Sequence, residues 1–289
     1  MPVPALDLLP DLPITPSDEA WRALSAAEQA RFVEQVISAL QREEAWMSEG
    51  TPHFRAKVNA VTTLGDHFAR AGRQVYLACE LPVLYPGERP FAPDLLAVVD
   101  VPVPGDEDLR TCWSVTTEGR GLDLILEVHY AGDKQKDLVT NVARYARLGV
   151  PEYFVYDRMA QRLYGYRLGQ GRQYQSIPPR RGTLSSWVLG LDLGILDNRL
   201  RFFANEALIP ESRELLARLE HLMDERERDI AAEVALRQEL EQRLAAETEA
   251  RGQIERRLVE AEARANTEAA ARAALEAELA TLRARLTQG

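Results

Sequence analysis

Apolar positions along this chain follow three rhythms, and the architecture should change where the rhythm changes. From Ser25 to Leu40 the repeat is helical. Phe32, Val33, Val36, Ile37 and Leu40 share one side, and Ser25 with Glu28 has capping-box spacing, which predicts a bracing helix of about four turns. A second helix is predicted from about His53 to Ala71, with Val58, Val61, Leu64, His67 and Phe68 on one side. Five prolines break residues 1–16, which read as a loose lead-in.

From Gln74 the pattern shortens to that of strands. Gln74–Glu80 and Pro82–Tyr85 read as strands, and Pro86-Gly87-Glu88-Arg89 as a turn. Leu95–Val101 and Leu122–Tyr130 are short unbroken apolar runs, as in strands buried on both faces. A helix follows, with Asp133 as N-cap, Val139, Val142, Ala143 and Ala146 at helical spacing, and Gly149 just past its end. Pro151 stops it, and Tyr153–Tyr156 is a further strand. Strand, helix, strand predicts two parallel strands joined by a crossover. Gly169-Gln170-Gly171 marks a hairpin between Arg162–Leu168 and Arg172–Ile177. Trp187–Leu193 and Leu200–Phe203 add short edge strands, and Trp113 with Val115 forms a short strand or a cap over the core.

The third rhythm fills the C-terminal part. Aromatic residues cease after Phe203, and no proline interrupts residues 211–289. A heptad frame with Leu216, Met223, Ile230, Leu244 and Leu258 at position a, and Leu219, Leu240, Ile254 and Leu275 at position d, makes 14 of 21 seam positions apolar. Arg237, Arg251, Glu233 and Glu247 are among the charged seam positions. The pattern predicts a coiled-coil helix for self-association into a homo-oligomer or for strapping a partner, and a solvated single helix of high intrinsic propensity is the other reading. The domains expected are 1–49, a lead-in and bracing helix; 50–205, an α/β domain; and 206–289, the coiled-coil helix.

Composition narrows the function. Net charge is −10, split evenly between residues 1–210 and 211–289, so no global basic field marks a nucleic-acid surface. Two cysteines with no CxxC give no structural zinc site and fit a reducing compartment. The acidic, Pro-rich start does not read as a signal peptide, and no apolar run reaches membrane-spanning length. A cytoplasmic protein is the expectation.

The candidate chemistry lies in two buried strands. Asp94 heads Leu95–Val101, and Glu127-Val128-His129 ends Leu122–Tyr130. A hard cation such as Mg²⁺ or Mn²⁺ takes oxygen ligands, which Asp94, Glu127 and the Val128 carbonyl could supply. Strand alternation puts His129 on the face of Glu127. Packing offers another reading: Asp94 capping a turn, Glu127 paired with Lys134 or Lys136, and His129 as a polar strand end. Glu80 could point toward Asp94 or be an ordinary edge glutamate.

The segments FAPDLLAVVD, LDLILEVH and KDLVTNVARYARLGVPEYFVYD, in that order, resemble the Uma-type restriction-endonuclease-like family of the PD-(D/E)XK nuclease superfamily. The resemblance covers about residues 50–205. It implies a restriction-endonuclease-like mixed sheet flanked by helices, DNA as partner, and Mg²⁺-dependent phosphodiester cleavage with Asp94 and Glu127 as metal ligands. Two positions depart from the pattern. The superfamily lysine two residues after the glutamate is His129, and the helix lysine that many relatives carry, between Asp137 and Tyr145, is Asn141. Lys136 is the preferred substitute, with Lys134 beside it. The acidic helix residue that many relatives place before Pro-Asp has no clear match beyond Glu44. A nuclease fold kept as a DNA- or protein-binding module, and a coiled-coil scaffold, are the alternative functions.

Overall fold

The computed structural model describes residues 12–44, 51–102, 105, 110–130 and 134–286. Three helices come first: α1 (Asp18–Ala23), α2 (Ala26–Glu44) and α3 (Thr51–Ala71). Helix α1 was not evident in the sequence. Ser17 caps it by accepting from the Ala20 N–H, and Trp21 buries itself in the contact with α2. The capping box of α2 is present, since the Ser25 N–H donates to Glu28 Oε2 at 2.8 Å and the Glu28 N–H to Ser25 Oγ at 3.4 Å. In α3 the buried side is Lys57, Ala60, Thr63, Leu64 and Phe68, while Val58 is exposed. The expected apolar side was therefore rotated by about one residue, because a lysine occupies an inward position.

The strands follow: β1 (Val75–Ala78), β2 (Val83–Leu84), β3 (Leu95–Val99), β4 (Trp113–Ser114) and, after the short helix α4 (Val115–Glu118), β5 (Leu124–His129). Positive φ at Glu80 and Asp100 ends β1 and β3 sooner than the apolar runs suggested. The start of the next helix, Asp133 included, lies outside the described residues. Lys136–Thr140 form a π turn that leads into α5 (Asn141–Leu148). Gly149 closes α5 with φ 83°, a left-handed conformation that favours glycine, and the Val150 N–H reaches back to the Tyr145 carbonyl. After it come β6 (Glu152–Asp157), β7 (Arg162–Leu168) and β8 (Tyr174–Ser176).

Six of these strands form one mixed sheet in the order β1-β3-β5-β6-β7-β8. The β5–β6 pair, joined through α5, is parallel as expected, and the other neighbours are antiparallel. One face carries Leu95, Ala97, Leu126 and Phe154 against α3. The opposite face carries Leu96, Ile125 and Val155 against Tyr145 of α5 and against Trp113. Each buried Leu, Ile, Val or Phe among them contributes about 1.5–3 kcal/mol relative to exposure.

The predicted edge strands instead build a second, four-stranded antiparallel sheet, β12-β11-β10-β9. Its strands are β9 (Thr183–Ser186), β10 (Leu191–Leu196), β11 (Arg199–Ala204) and β12 (Ala207–Leu208). Asp197 and Asn198, both at positive φ, make the tight β10–β11 turn. Gly165 lets this sheet approach β7, because a Cβ there would meet Leu184 Cδ1 at 3.0 Å and Phe154 Cε1 at 2.9 Å. Buried Glu152 ties the sheets together. It accepts from Arg167 Nε (2.9 Å), Ser186 Oγ (2.5 Å) and the Trp187 and Val188 N–H groups (2.9 and 3.3 Å).

The last element is α6 (Ser212–Leu286), 75 residues of continuous helix. Its first turn is held by buried Arg201, whose Nη2 lies 2.6 Å from Glu214 Oε2. The chain divides into two compact units, residues 1–215 and 216–289, and the described residues of the second are helix alone. Among the described residues no helix is long and apolar enough to cross a membrane.

Candidate functional site

Strand register decides where the two carboxylates go. Leu95 pairs with Leu126 in the antiparallel β3–β5 ladder, so Asp94 comes opposite Glu127. Residues 125, 127 and 129 share a face, and Ile125 packs on the α5 side. Glu127 therefore turns toward α5, where the Tyr145 hydroxyl donates to its Oε1 at 2.9 Å. Its Oε2 accepts from the Asp94 N–H at 3.3 Å, and Asp94 Oδ2 accepts from the Val128 N–H at 2.7 Å. A strand residue points its N–H and C=O to the same edge, so the Val128 carbonyl also lies on the Asp94 side.

Helix α3 closes the other side. His53 Nε2 sits 3.1 Å from Asp94 Oδ1. Lys57, only 3% exposed, places Nζ 3.9 Å from the same oxygen and pairs with Glu80. Glu80 thus stands beside the cluster through Lys57. Sequence reasoning did not single out His53 or Lys57. The available signal was a lysine one helical repeat before Ala60 and Leu64, on the side that faces the sheet.

His129 is buried and turns to Asp137, with Nδ1 2.9 Å from Oδ2. Asn141 Nδ2 approaches the other Asp137 oxygen at 3.4 Å. His129 and Asn141 are thus both drawn to Asp137. Lys134 is occupied elsewhere, 2.5 Å from Asp157 Oδ2 at the end of β6. Lys136 is exposed, but its charge reaches both Glu127 and Asp137. Glu44 is the last residue of α2.

The electrostatics separate the two main carboxylates. Burial pushes Glu127 well above the usual carboxylate range, and the charges of Asp94 and Asp137 push the same way. Burial also opposes ionisation of Asp94, but the hydrogen bond and charge of His53, the Val128 N–H and Lys57 outweigh it and hold Asp94 low. For His53 burial disfavours the charged ring, yet Asp94 overcomes it and the net shift is upward. Burial raises Asp137 despite its bond to His129. Among the described residues no three His, Cys, Asp or Glu side chains converge as a complete metal cage. The oxygen set here is two carboxylates and a peptide carbonyl.

Residues 11–195 match the family model of Uma2, described as "Putative restriction endonuclease". The match covers more than half of the chain, and the protein belongs to that family. A crystal structure of "a putative nuclease belonging to DUF820" from Anabaena variabilis ATCC 29413 is similar at 14% identity and TM-score 0.37, over 50% of this chain and 75% of that one. Among curated proteins no match is found.

Proposed function

We propose that the protein is a divalent-cation-dependent endonuclease that hydrolyses DNA phosphodiester bonds at the Asp94–Glu127 centre. The observation that supports the proposal is the β3–β5 register, which brings Asp94, just before β3, opposite Glu127 of β5, with the Asp94 N–H donating to Glu127 Oε2 and the Val128 N–H to Asp94 Oδ2. The residues fit a hard cation. Among the described residues Glu127 receives two neutral donors, Tyr145 and the Asp94 N–H, and two other acids face it against the one exposed Lys136 charge. Such an excess of acceptors repels itself until a cation enters. Asp94, Glu127 and the Val128 carbonyl would hold it. Bound there, Mg²⁺ or Mn²⁺ would polarise a phosphate and acidify a water.

The chain's own groups complete the proposal. Tyr145 and the Asp94 N–H orient Glu127, while His53 and the Val128 N–H orient Asp94. Lys57 brings a fixed positive charge to the place where negative charge grows on a phosphate under attack. Lys136 adds a second, more solvated charge. His129 acts as a positioning residue by holding Asp137.

The test is nicking of supercoiled DNA with Mg²⁺ or Mn²⁺. Asp94→Ala and Glu127→Ala should each lower the rate by roughly 10²–10³-fold or more while leaving the fold intact. Full activity in Asp94→Ala would end the proposal. A second reading, a nuclease fold that binds DNA without cutting it, is favoured by one observation: His129 and Asn141 stand in the lysine positions and both turn to Asp137. DNA binding by the parent protein with no nicking in either cation would select that reading.

A further inference from the structure

From residue 216 on, helix α6 carries a seam that nothing among the described residues of its own unit covers. Met223, Ile230, Leu240, Leu244, Leu275 and Leu282 are each half or more exposed. In a straight helix a seven-residue repeat drifts by about 20° per heptad, so a seam this long stays on one line only if two helices supercoil. The charged seam residues then decide how the second helix must run.

We propose that this helix pairs with the same helix of a second copy, antiparallel, in the register that sets Arg237 opposite Glu268. In an antiparallel pair each position a faces a position d, and a single shift fixes every layer. The register that joins Arg237 to Glu268 also joins Arg272 to Glu233. By two-fold symmetry each layer occurs twice, giving four opposite-charge layers. The same shift stacks Met223 on Leu282, Ile230 on Leu275, Leu240 on Ala265 and Leu244 on Ala261, and centres the pair on Gly252–Gln253. Arg226, Glu247 and Arg251 face Leu279, Leu258 and Ile254, where their long stems can cover apolar surface while the charged heads reach water.

The competing arrangements fare worse. A parallel, in-register dimer sets each residue on its own copy, making seven like-charge layers, Arg226, Arg251 and Glu247 among them. Sliding the antiparallel pair by three heptads joins Arg237 to Glu247 and Arg251 to Glu233. It leaves Leu275, Leu279 and Leu282 beyond the overlap. The proposed register does bring Glu241 near Glu262 and Arg243 near Arg264 at the flanks. Those positions stay solvated and screened, whereas seam layers lose water, so the seam dominates. A fold-back of one chain at Gly252 would reuse the same layers, but the helix is continuous through that point.

The experiment uses the full chain and cysteine pairs. Light scattering should give twice the chain mass. Under mild oxidation the Ile230→Cys/Leu275→Cys protein should form a covalent dimer. Ile230→Cys alone should not, and the parent chain, with its own Cys79 and Cys112, is the control. A covalent dimer from Ile230→Cys alone would mean a parallel pair and overturn the proposal. A disulfide closing within one chain, a monomeric parent, or a dimer that the double variant fails to link would each overturn it too. Charge provides a second readout. Arg237→Glu/Arg272→Glu should weaken dimerisation roughly tenfold or more, and adding Glu233→Arg/Glu268→Arg should restore it. A parallel pair would show neither effect, since like layers would remain like.

Discussion

Two glutamates, Glu152 buried and Glu127 half-buried, stand on neighbouring strands of one sheet and are treated in opposite ways. Glu152, on β6, is surrounded by donors: the Arg167 guanidinium, the Ser186 hydroxyl and two backbone N–H groups. Among the described residues Glu127, on β5, has a phenol and one N–H as donors, and the charges that bear on it are those of Asp94, Asp137 and the exposed Lys136. A carboxylate that builds structure is paired and hydrogen-bonded, because an unpaired buried charge is costly. A carboxylate left among other carboxylates does little for the empty fold. Its arrangement makes sense when a positive ligand is to be held there.

Stability should therefore split the pair, and this is the largest effect expected. Glu152→Ala takes the carboxylate partner from half-buried Arg167 and strips acceptors from the Ser186 hydroxyl and the Trp187 and Val188 N–H groups. It should cost about 3–5 kcal/mol. Glu127→Gln keeps the shape and removes a charge that Asp94 and Asp137 repel, so it should leave cation-free stability unchanged or slightly higher. Urea unfolding of both variants without divalent cations checks this. Equal losses at the two positions would break the distinction.

The next effect is catalytic. If Lys57 supplies the charge that His129 and Asn141 do not, Lys57→Ala should lower nicking by roughly 10²–10³-fold, and Lys136→Ala by a smaller factor. Lys57→Arg should recover part of the rate, since it restores charge but not shape. Because Lys57 also pairs with Glu80, unfolding of each variant must be measured alongside. Full nicking activity in Lys57→Ala, with Lys136→Ala impaired, would assign the role to the helix after β5.

Much of the fold could be read from the sequence where local chemistry decides it. The β5-α5-β6 unit has an unbroken apolar strand, a glycine stop and a second apolar strand, so little else was possible for it. Asp94 and Glu127 drew attention in the sequence because each is an acid at or near the end of an apolar run, and the register sets them opposite each other. What stayed hidden depended on long-range placement. Lys57 lies 37 residues before Asp94 in sequence, and only the seating of α3 on the sheet joins them. The second sheet was missed as a sheet because its short strands become a unit only through mutual pairing, with Gly165 allowing their approach. The π turn at Lys136–Thr140 changes the helical phase by one residue, which a 3.6-residue periodicity cannot show.

The smallest effect expected is also the most direct test of what the acid-rich glutamate is for. A ligand that binds only the folded protein stabilises it by about 2.7 kcal/mol when present at 100 times its Kd. Mg²⁺ or Mn²⁺ should thus raise the melting temperature of the parent protein, and the rise should grow with the logarithm of concentration once the site fills. Glu127→Gln exchanges a charged ligand for a neutral one, and Asp94→Asn does the same from β3, so both should flatten the dependence. Neither should lower the cation-free melting temperature by as much as Glu152→Ala. Glu152→Ala should retain the cation-induced rise, displaced to lower temperature, because its donors belong to the other end of β6 and to the second sheet. A parent protein whose melting temperature ignores both cations, or a Glu127→Gln variant that responds as the parent does, would leave the crowding of Asp94, Glu127 and Asp137 without this explanation.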